Sequence, residues 1–405
     1  MKSWAHYHPH LPELIEDPYP AYAWLRENAP VKYIEAEQIW ALSRYDDIRA
    51  AVRNPDVFSN DEGVGYARAA STALTNLDHP LHTRLRRHIR PHFLQEAVLA
   101  AHSQRAQALM DELLDAVIDR EADLAKLIAM PFLSRLVCEW MGIPACDRAF
   151  VNDGATAGSL IMSGGGNPEA YALADRFGVY FQAKAAQIEA IRDVGGVCPA
   201  RNLSDLLFTA GPDGQVMTHE ESLANMQLVA VGGNETTGQF LSAVLLFLSR
   251  RPDVLALIRA EPERAPALVE ELLRHLSPVQ GLFRNTKSAV TVRGVEIPAG
   301  AKVLMLYASG NHDPHHYPDP DVFQPDRYPG GAADADHLSF ANGRHVCLGQ
   351  YLARLVTTVL LRTIAERVEA IEITGPPVRS PNALVSVYES LPARLVSRKE
   401  TRLAS

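Results

Sequence analysis

At 405 residues with 47% hydrophobic and 21% charged residues, the chain can bury a large core, and its composition is unlike that of disordered or collagen-like polypeptides. A formal net charge of -9 argues against a nucleic-acid binder, which carries a basic balance or stripe. The most apolar stretch, 240–248, is far shorter than the roughly 20 residues needed to cross a bilayer, so no membrane association is expected.

The first six residues lack the apolar run and cleavage site of a signal peptide. Cys138, Cys146, Cys198 and Cys347 form no Cys-x-x-Cys pair, so a reducing cytoplasm is the expected location. Prolines and glycines are spread along the chain without a linker or repeat, and residues 1–405 read as one domain. Pro18-Tyr19-Pro20 leads into an amphipathic stretch over 21–27, and Ile39-Trp40-Ala41-Leu42-Ser43 reads as a strand. Apolar residues at helical spacing predict long helices over 94–119, 170–192, 219–249 and 265–276. Val290-Thr291-Val292 and 294–300 predict a short hairpin, and β signals return over 383–395. The stretch 311–331 holds five prolines and no helical period, a length at which loops inside domains are usually functional. The expected fold class is mainly α with small β-sheets.

That stretch leads to Phe340-Ala341-Asn342-Gly343-Arg344-His345-Val346-Cys347-Leu348-Gly349, followed by an apolar-periodic run over 350–366. Cys347 thus stands at a helix entrance, where unpaired N–H groups favour a thiolate. Gly343 and Gly349 let the backbone turn tightly and approach a flat ligand. A buried structural cysteine, or a nucleophile with His345 as base, accounts for neither the glycines nor the aromatic.

The pattern Phe-x-x-Gly-x-x-x-Cys-x-Gly resembles the heme-binding signature of cytochrome P-450 enzymes. The resemblance implies that fold, a triangular prism with a long distal helix over the heme, and heme b held by Cys347 as the proximal iron ligand. Glu271-Leu272-Leu273-Arg274 resembles the family's Glu-x-x-Arg motif. Phe323-Gln324-Pro325-Asp326-Arg327-Tyr328 resembles the segment whose arginine joins that pair, so Glu271, Arg274 and Arg327 are expected to brace the cysteine loop.

Thr218-His219-Glu220-Glu221 reads as a capping box that opens the longest helix, which Pro252 stops. Midway lies Gly232-Gly233-Asn234-Glu235-Thr236-Thr237, polar where a core helix is apolar, with a threonine placed to bond back to a carbonyl and open a groove. The resemblance makes this the distal helix, with Glu235 and Thr236 as the acid–alcohol pair that positions water for proton delivery, and O2 with two electrons as co-substrates. In the stretch 78–88 it assigns His82 and Arg86 to a heme propionate, with Arg284 and His345 as further propionate contacts. Arg84, Arg87 and Arg90 read as a solvated basic face or, alternatively, as a docking patch for an acidic electron donor. A separate ferredoxin and ferredoxin reductase, fed by NAD(P)H, are implied.

The resemblance runs from Asp17-Pro18-Tyr19-Pro20 to Glu389-Ser390-Leu391-Pro392. Around Gly63-Val64-Gly65 and over 277–284 it is strongest to the branch oxidising small aromatic acids and methoxyaromatics. Glu62, not arginine, precedes that glycine segment, and Gln227 and Val231 on the distal helix add no cation. The expected substrate is therefore a small neutral phenol or aryl ether, hydroxylated or O-demethylated, with Phe283 as a ring-packing wall. Alternatives are a secondary-metabolite tailoring hydroxylase, a peroxide-driven peroxygenase and a heme-binding sensor.

Overall fold

The computed structural model describes residues 3–69, 71–193 and 201–398. Cys198 lies outside the described residues; Cys138, Cys146 and Cys347 are free thiols. The fold is mainly helical. The N-terminal part carries α1 (Pro12–Glu16), α2 (Tyr19–Asn28), α3 (Tyr45–Val52), α4 (Leu81–Ile89) and α5 (Gln95–Val117). Then follow α6 (Met130–Trp140), α7 (Arg148–Met162), α8 (Pro168–Asp193), α9 (Leu203–Leu206) and the 32-residue α10 (His219–Arg250). The remainder adds α11 (Pro252–Ala260), α12 (Ala265–Leu276), α13 (Tyr307–Asn311) and α14 (Gln350–Arg367).

The largest sheet joins distant segments: β1 (Val31–Ile34), β2 (Ile39–Leu42) and β3 (Phe58–Ser59) with β5 (Leu282–Thr286) and β8 (Lys302–Met305). Its order is β1-β2-β8-β5-β3, with β2 and β8 parallel and the other pairs antiparallel. A smaller sheet sets β4 (Glu121–Asp123) and β9 (Val368–Ile373) on either side of β12 (Pro392–Ser397). Two hairpins complete the β structure: β6 (Val290–Val292) with β7 (Val295–Ile297), and β10 (Val378–Ser380) with β11 (Val387–Ser390).

The helix α10 runs through the main core, packing against α6, α7 and α8, while α14 packs on α5 and α12. Its start is the capping box expected from the sequence: Thr218 Oγ1 accepts from the Glu221 N–H at 3.2 Å, and the Glu221 carboxylate accepts from the Thr218 N–H at 3.0 Å. Pro252 ends α10 and opens α11 from its first turn, where its missing N–H costs nothing. Among the described residues, no helix is long and apolar enough to cross a membrane.

Candidate functional site

The cysteine segment folds as a tight loop entering α14. Ala341 and Gly343 have positive φ angles of 56° and 74°, and the Cys347 N–H donates to the Phe340 carbonyl at 2.9 Å. A Cβ on Gly343 would lie 2.9 Å from the Val52 carbonyl oxygen, so both its conformation and its surroundings demand glycine. Gly349 has an ordinary φ of -75°; what it contributes is its N–H, which acts on Cys347 together with that of Gln350. Cys347 is accessible yet enclosed by protein, so it lines an internal space. Burial pushes its thiol pKa up, outweighing those N–H donors and the charges of Arg86 and Arg354. The helix start therefore supplies donors without ionising the thiol by itself, whereas a coordinated metal ion deprotonates a thiol outright.

Four basic side chains meet beside this loop. His82 and Arg86 come from α4, Arg284 from β5 and His345 from the loop itself. The two imidazoles lie 4.1 Å apart, centre to centre. Arg86 donates to the Val346 carbonyl at 2.7 Å, and Arg284 is buried, donating to the Phe283 carbonyl at 2.7 Å. Burial and then Arg86 lower the His82 pKa to about 4; burial, His82 and Arg284 hold His345 far below the usual imidazole range. Asp78, the carboxylate that acts on both histidines, is engaged by Lys287 at 2.6 Å. His82 Nε2 is buried with no hydrogen-bond partner. Two guanidiniums, two imidazoles and an orphaned ring nitrogen suit a ligand bearing carboxylates, so these residues fit the propionates of heme.

The middle of α10 also fits a flat group. A Cβ on Gly232 would meet nothing within 4 Å, whereas one on Gly233 would touch Val137 of α6 at 3.4 Å and one on Gly238 would collide with Met130 Sδ at 2.5 Å. One glycine thus opens the helix face while two let α6 pack. Thr236 Oγ1 donates to the Gly232 carbonyl at 3.0 Å, one turn back. The neighbouring Glu235 is 2% exposed. Burial raises its pKa to about 7, against a lowering effect from the Ser159 hydroxyl of α7, and its Oε2 has no hydrogen-bond partner.

Behind the cysteine loop, Glu271 and Arg274 form a fully buried pair at 2.7 Å, and Arg327 reaches Glu271 at 3.1 Å. Arg274 also donates to the carbonyls of Asn311 at 2.8 Å and Pro320 at 2.7 Å, which pins the proline-rich stretch. A second brace escapes motif reading. Glu270, buried next to Glu271, takes Arg354 of α14 in a two-pronged contact at 2.7 and 2.8 Å and His337 at 3.1 Å. Arg354 in turn lies 4.7 Å over the Phe340 ring. The sequence signal was an arginine seven residues after the cysteine, one turn into the helix that follows it.

The expected pocket walls separate. Gln227 faces α8, 3.9 Å from a Cβ built on Gly178, and Val231 faces α7, 3.4 Å from one built on Gly158; both stay partly exposed. Phe283 does not form a wall. It is fully buried, edge-on to Tyr66 at 4.8 Å and under the Lys302 ammonium at 5.1 Å. Strand alternation explains the correction: Leu282, partly exposed, and Arg284 share one face of β5, and Phe283 points to the other. Glu62 pairs with Arg68. Of the basic face, Arg84 turns away to pair with Glu221 at the start of α10, leaving Arg87 and Arg90 exposed.

Comparison with known proteins agrees with this geometry. A family model described as Cytochrome P450 matches residues 175–389. A beta-dihydromenaquinone-9 omega-hydroxylase of Mycobacterium tuberculosis is 31% identical over 380 residues, covering 93% of this chain and 75% of that protein. Cyclomarin C epoxidase CymV of Salinispora arenicola is 33% identical over 370 residues, covering 87% and 89%. A solved structure of a mutant of P450 EryK in complex with erythromycin B superposes with a TM-score of 0.82 at 27% identity, covering 96% of this chain and 99% of that one. The substrates in these names do not support the small-aromatic branch. Fold, family model and relatives together establish that the chain belongs to the cytochrome P450 family, monooxygenases that bind heme b.

Proposed function

We propose that this chain hydroxylates an uncharged, hydrophobic molecule larger than a single aromatic ring, using O2 and two electrons delivered by a ferredoxin and its NAD(P)H-dependent reductase. The reaction balances as substrate C–H, O2, two electrons and two protons giving the alcohol and water. Heme, when bound, supplies the activation of O2. Cys347 is the residue that would ligate its iron, and His82, Arg86, Arg284 and His345 would hold its carboxylates. The observation that carries this assignment is the Cys347 sulfur, facing an internal space at the head of α14 with N–H groups directed at it.

Thr236 keeps its hydroxyl on the open face of α10 by donating to Gly232. Glu235, with a pKa near neutrality, is able both to release and to take up a proton at physiological pH. A heme-binding sensor has no use for this pair, and a peroxide-driven enzyme needs no proton delivery to O2. Gln227, Val231 and Leu282 are the proposed substrate contacts. Their lack of charge, with Glu62 occupied by Arg68, supports a neutral substrate. The size is supported by the relatives named for a menaquinone and for cyclomarin C. Arg87 and Arg90, exposed at the end of α4, are the proposed contact for an acidic ferredoxin.

Two measurements test the proposal. The reduced protein under carbon monoxide should show the red-shifted Soret band of thiolate ligation, and Cys347→Ala should abolish it. Spin-state titration should respond to neutral polycyclic or long-chain compounds and not to benzoates; tight high-spin shifts with benzoates alone would overturn the substrate assignment.

A further inference from the structure

Lys302 of β8 is 7% exposed and has no part in the chemistry proposed above. Its ammonium donates to the Tyr66 carbonyl and lies 5.1 Å over the Phe283 ring. Among the described residues no carboxylate pairs with it; the charge that acts on it is another cation, Arg68, itself paired with Glu62. A cation buried without a counter-charge destabilises the fold, so a lysine here is not simple core filling. What it holds is the loop over 63–66, which three further hydrogen bonds tie down. The Phe283 N–H donates to the Val64 carbonyl at 2.9 Å, Asn285 Nδ2 to the Gly63 carbonyl at 3.5 Å, and the Tyr66 N–H to the Met162 carbonyl of α7 at 2.8 Å. Val64 is thus bonded to the backbone directly between Leu282 and Arg284, the residues assigned above to substrate and to a heme carboxylate. At its other end the loop meets α7, whose Gly158 faces Val231. The Tyr66 ring also fills the turn after α7, where a Cβ on Gly164 would come within 3.0 Å of it. The loop therefore runs from β5 to α7 along the edge of the site.

We propose that Lys302 is a positioning residue: by gripping the Tyr66 carbonyl it fixes the 63–66 loop as a wall of the substrate site, and so helps to set which molecules fit. The inference rests on the assignment of Cys347, Leu282 and Arg284 to that site. A charged donor holds a carbonyl about twice as strongly as a neutral one, so the grip depends on the ammonium keeping its proton. Burial and then Arg68 lower the Lys302 pKa to about 8, and the grip should weaken as pH rises through that value. On this side of β8, β5 presents Phe283 and Asn285, both uncharged. The ionisable groups around Tyr66 are Glu37, Glu62, Arg68, His10 and the phenols of Tyr22 and Tyr66. Burial raises both phenols and lowers His10, so these three move away from the range in which Lys302 titrates.

The test uses the heme-loaded protein, K302M, which keeps the length of the side chain without its charge, and K302R, which keeps a charged donor. Two azoles are titrated by their optical shift: imidazole, which reaches only the iron, and clotrimazole, whose three aryl rings must also pack against the walls. Hydrogen exchange follows the amides of Tyr66 and Phe283. In K302M the affinity for clotrimazole relative to imidazole should fall about tenfold, the scale of one charge-assisted hydrogen bond, and both amides should exchange faster by a similar factor. In the unaltered protein the same ratio should fall between pH 7 and 9, a fall absent from K302M and from K302R, whose guanidinium stays charged. K302R should also restore the ratio and the slow exchange. An unchanged ratio in K302M would overturn this inference and leave the assignment of Cys347 standing, whether or not the amides exchange faster, because a loop that is pinned outside the site is no wall of it. Absence of the thiolate Soret band under carbon monoxide would overturn the assignment of Cys347 and the inference with it.

Discussion

Glu235 ties stability to pH as well as serving the site. Its folded-state pKa is raised from 4.5 to about 7 by burial, so between those values the folded chain keeps a proton that the unfolded chain has released. The resulting stabilisation is complete below the unfolded value and is lost as pH rises through the folded one. Replacing Glu235 by glutamine removes the buried charge. Relative to the wild type, the variant should gain unfolding free energy from about pH 5 upward and level off above about pH 7, with a plateau on the order of 3 kcal/mol. Urea unfolding of both proteins at several pH values measures this, and a pH-independent difference would refute it. At Gly343, alanine meets both a positive φ and the Val52 carbonyl. Gly343→Ala should cost about 1–3 kcal/mol and lower the heme content of the purified protein, read from its Soret-to-protein absorbance ratio. Cys347, Glu271 and Arg274 were legible in the sequence because each sits at a fixed spacing within a motif. The Glu270–Arg354 contact was not, because 84 residues separate its partners and only the fold brings them together.

At the scale of elements, α12 carries the strongest electrostatic commitment. Glu271 and Arg274 are both fully buried. Truncating either leaves the other charge uncompensated, so Arg274→Ala should lose about 3–5 kcal/mol and accumulate as protein without heme, detectable by denaturant unfolding and absorbance. Removing Glu270 strands Arg354 of α14 in the same way, although Arg354 keeps a partial outlet through Gln350 at 2.8 Å, so the loss should be smaller. The bounds of α10, α12 and α14 followed from apolar periodicity with little error. By contrast, α7 hides behind Asn152, Asp153, Gly154 and Gly158, which are poor helix formers, and its stability comes from packing on α8 and α10. Strand β8 is also opaque in the sequence: all four of its residues are buried, so no alternation marks it as a strand.

Across the whole molecule, a net charge of -9 opposes docking of an acidic donor except where positive charge is concentrated. Arg87→Glu combined with Arg90→Glu should slow reduction by ferredoxin at low salt, and the difference from wild type should shrink as ionic strength rises, in stopped-flow measurements. The pairing of β2 with β8 joins segments some 260 residues apart, and heme should raise the unfolding midpoint by mass action. The adjacent carboxylates of α12 carry an evolutionary consequence. Successive side chains on a helix point about 100° apart, and here one grips the run before the cysteine while the next grips the helix after it. Descendants of this chain can lengthen or trim their surface turns, but a single codon gained or lost between Glu270 and Arg274 would swing one grip out of reach of its target. Homologues that still bind their pigment should therefore show no indels in those five positions, however far the rest has drifted.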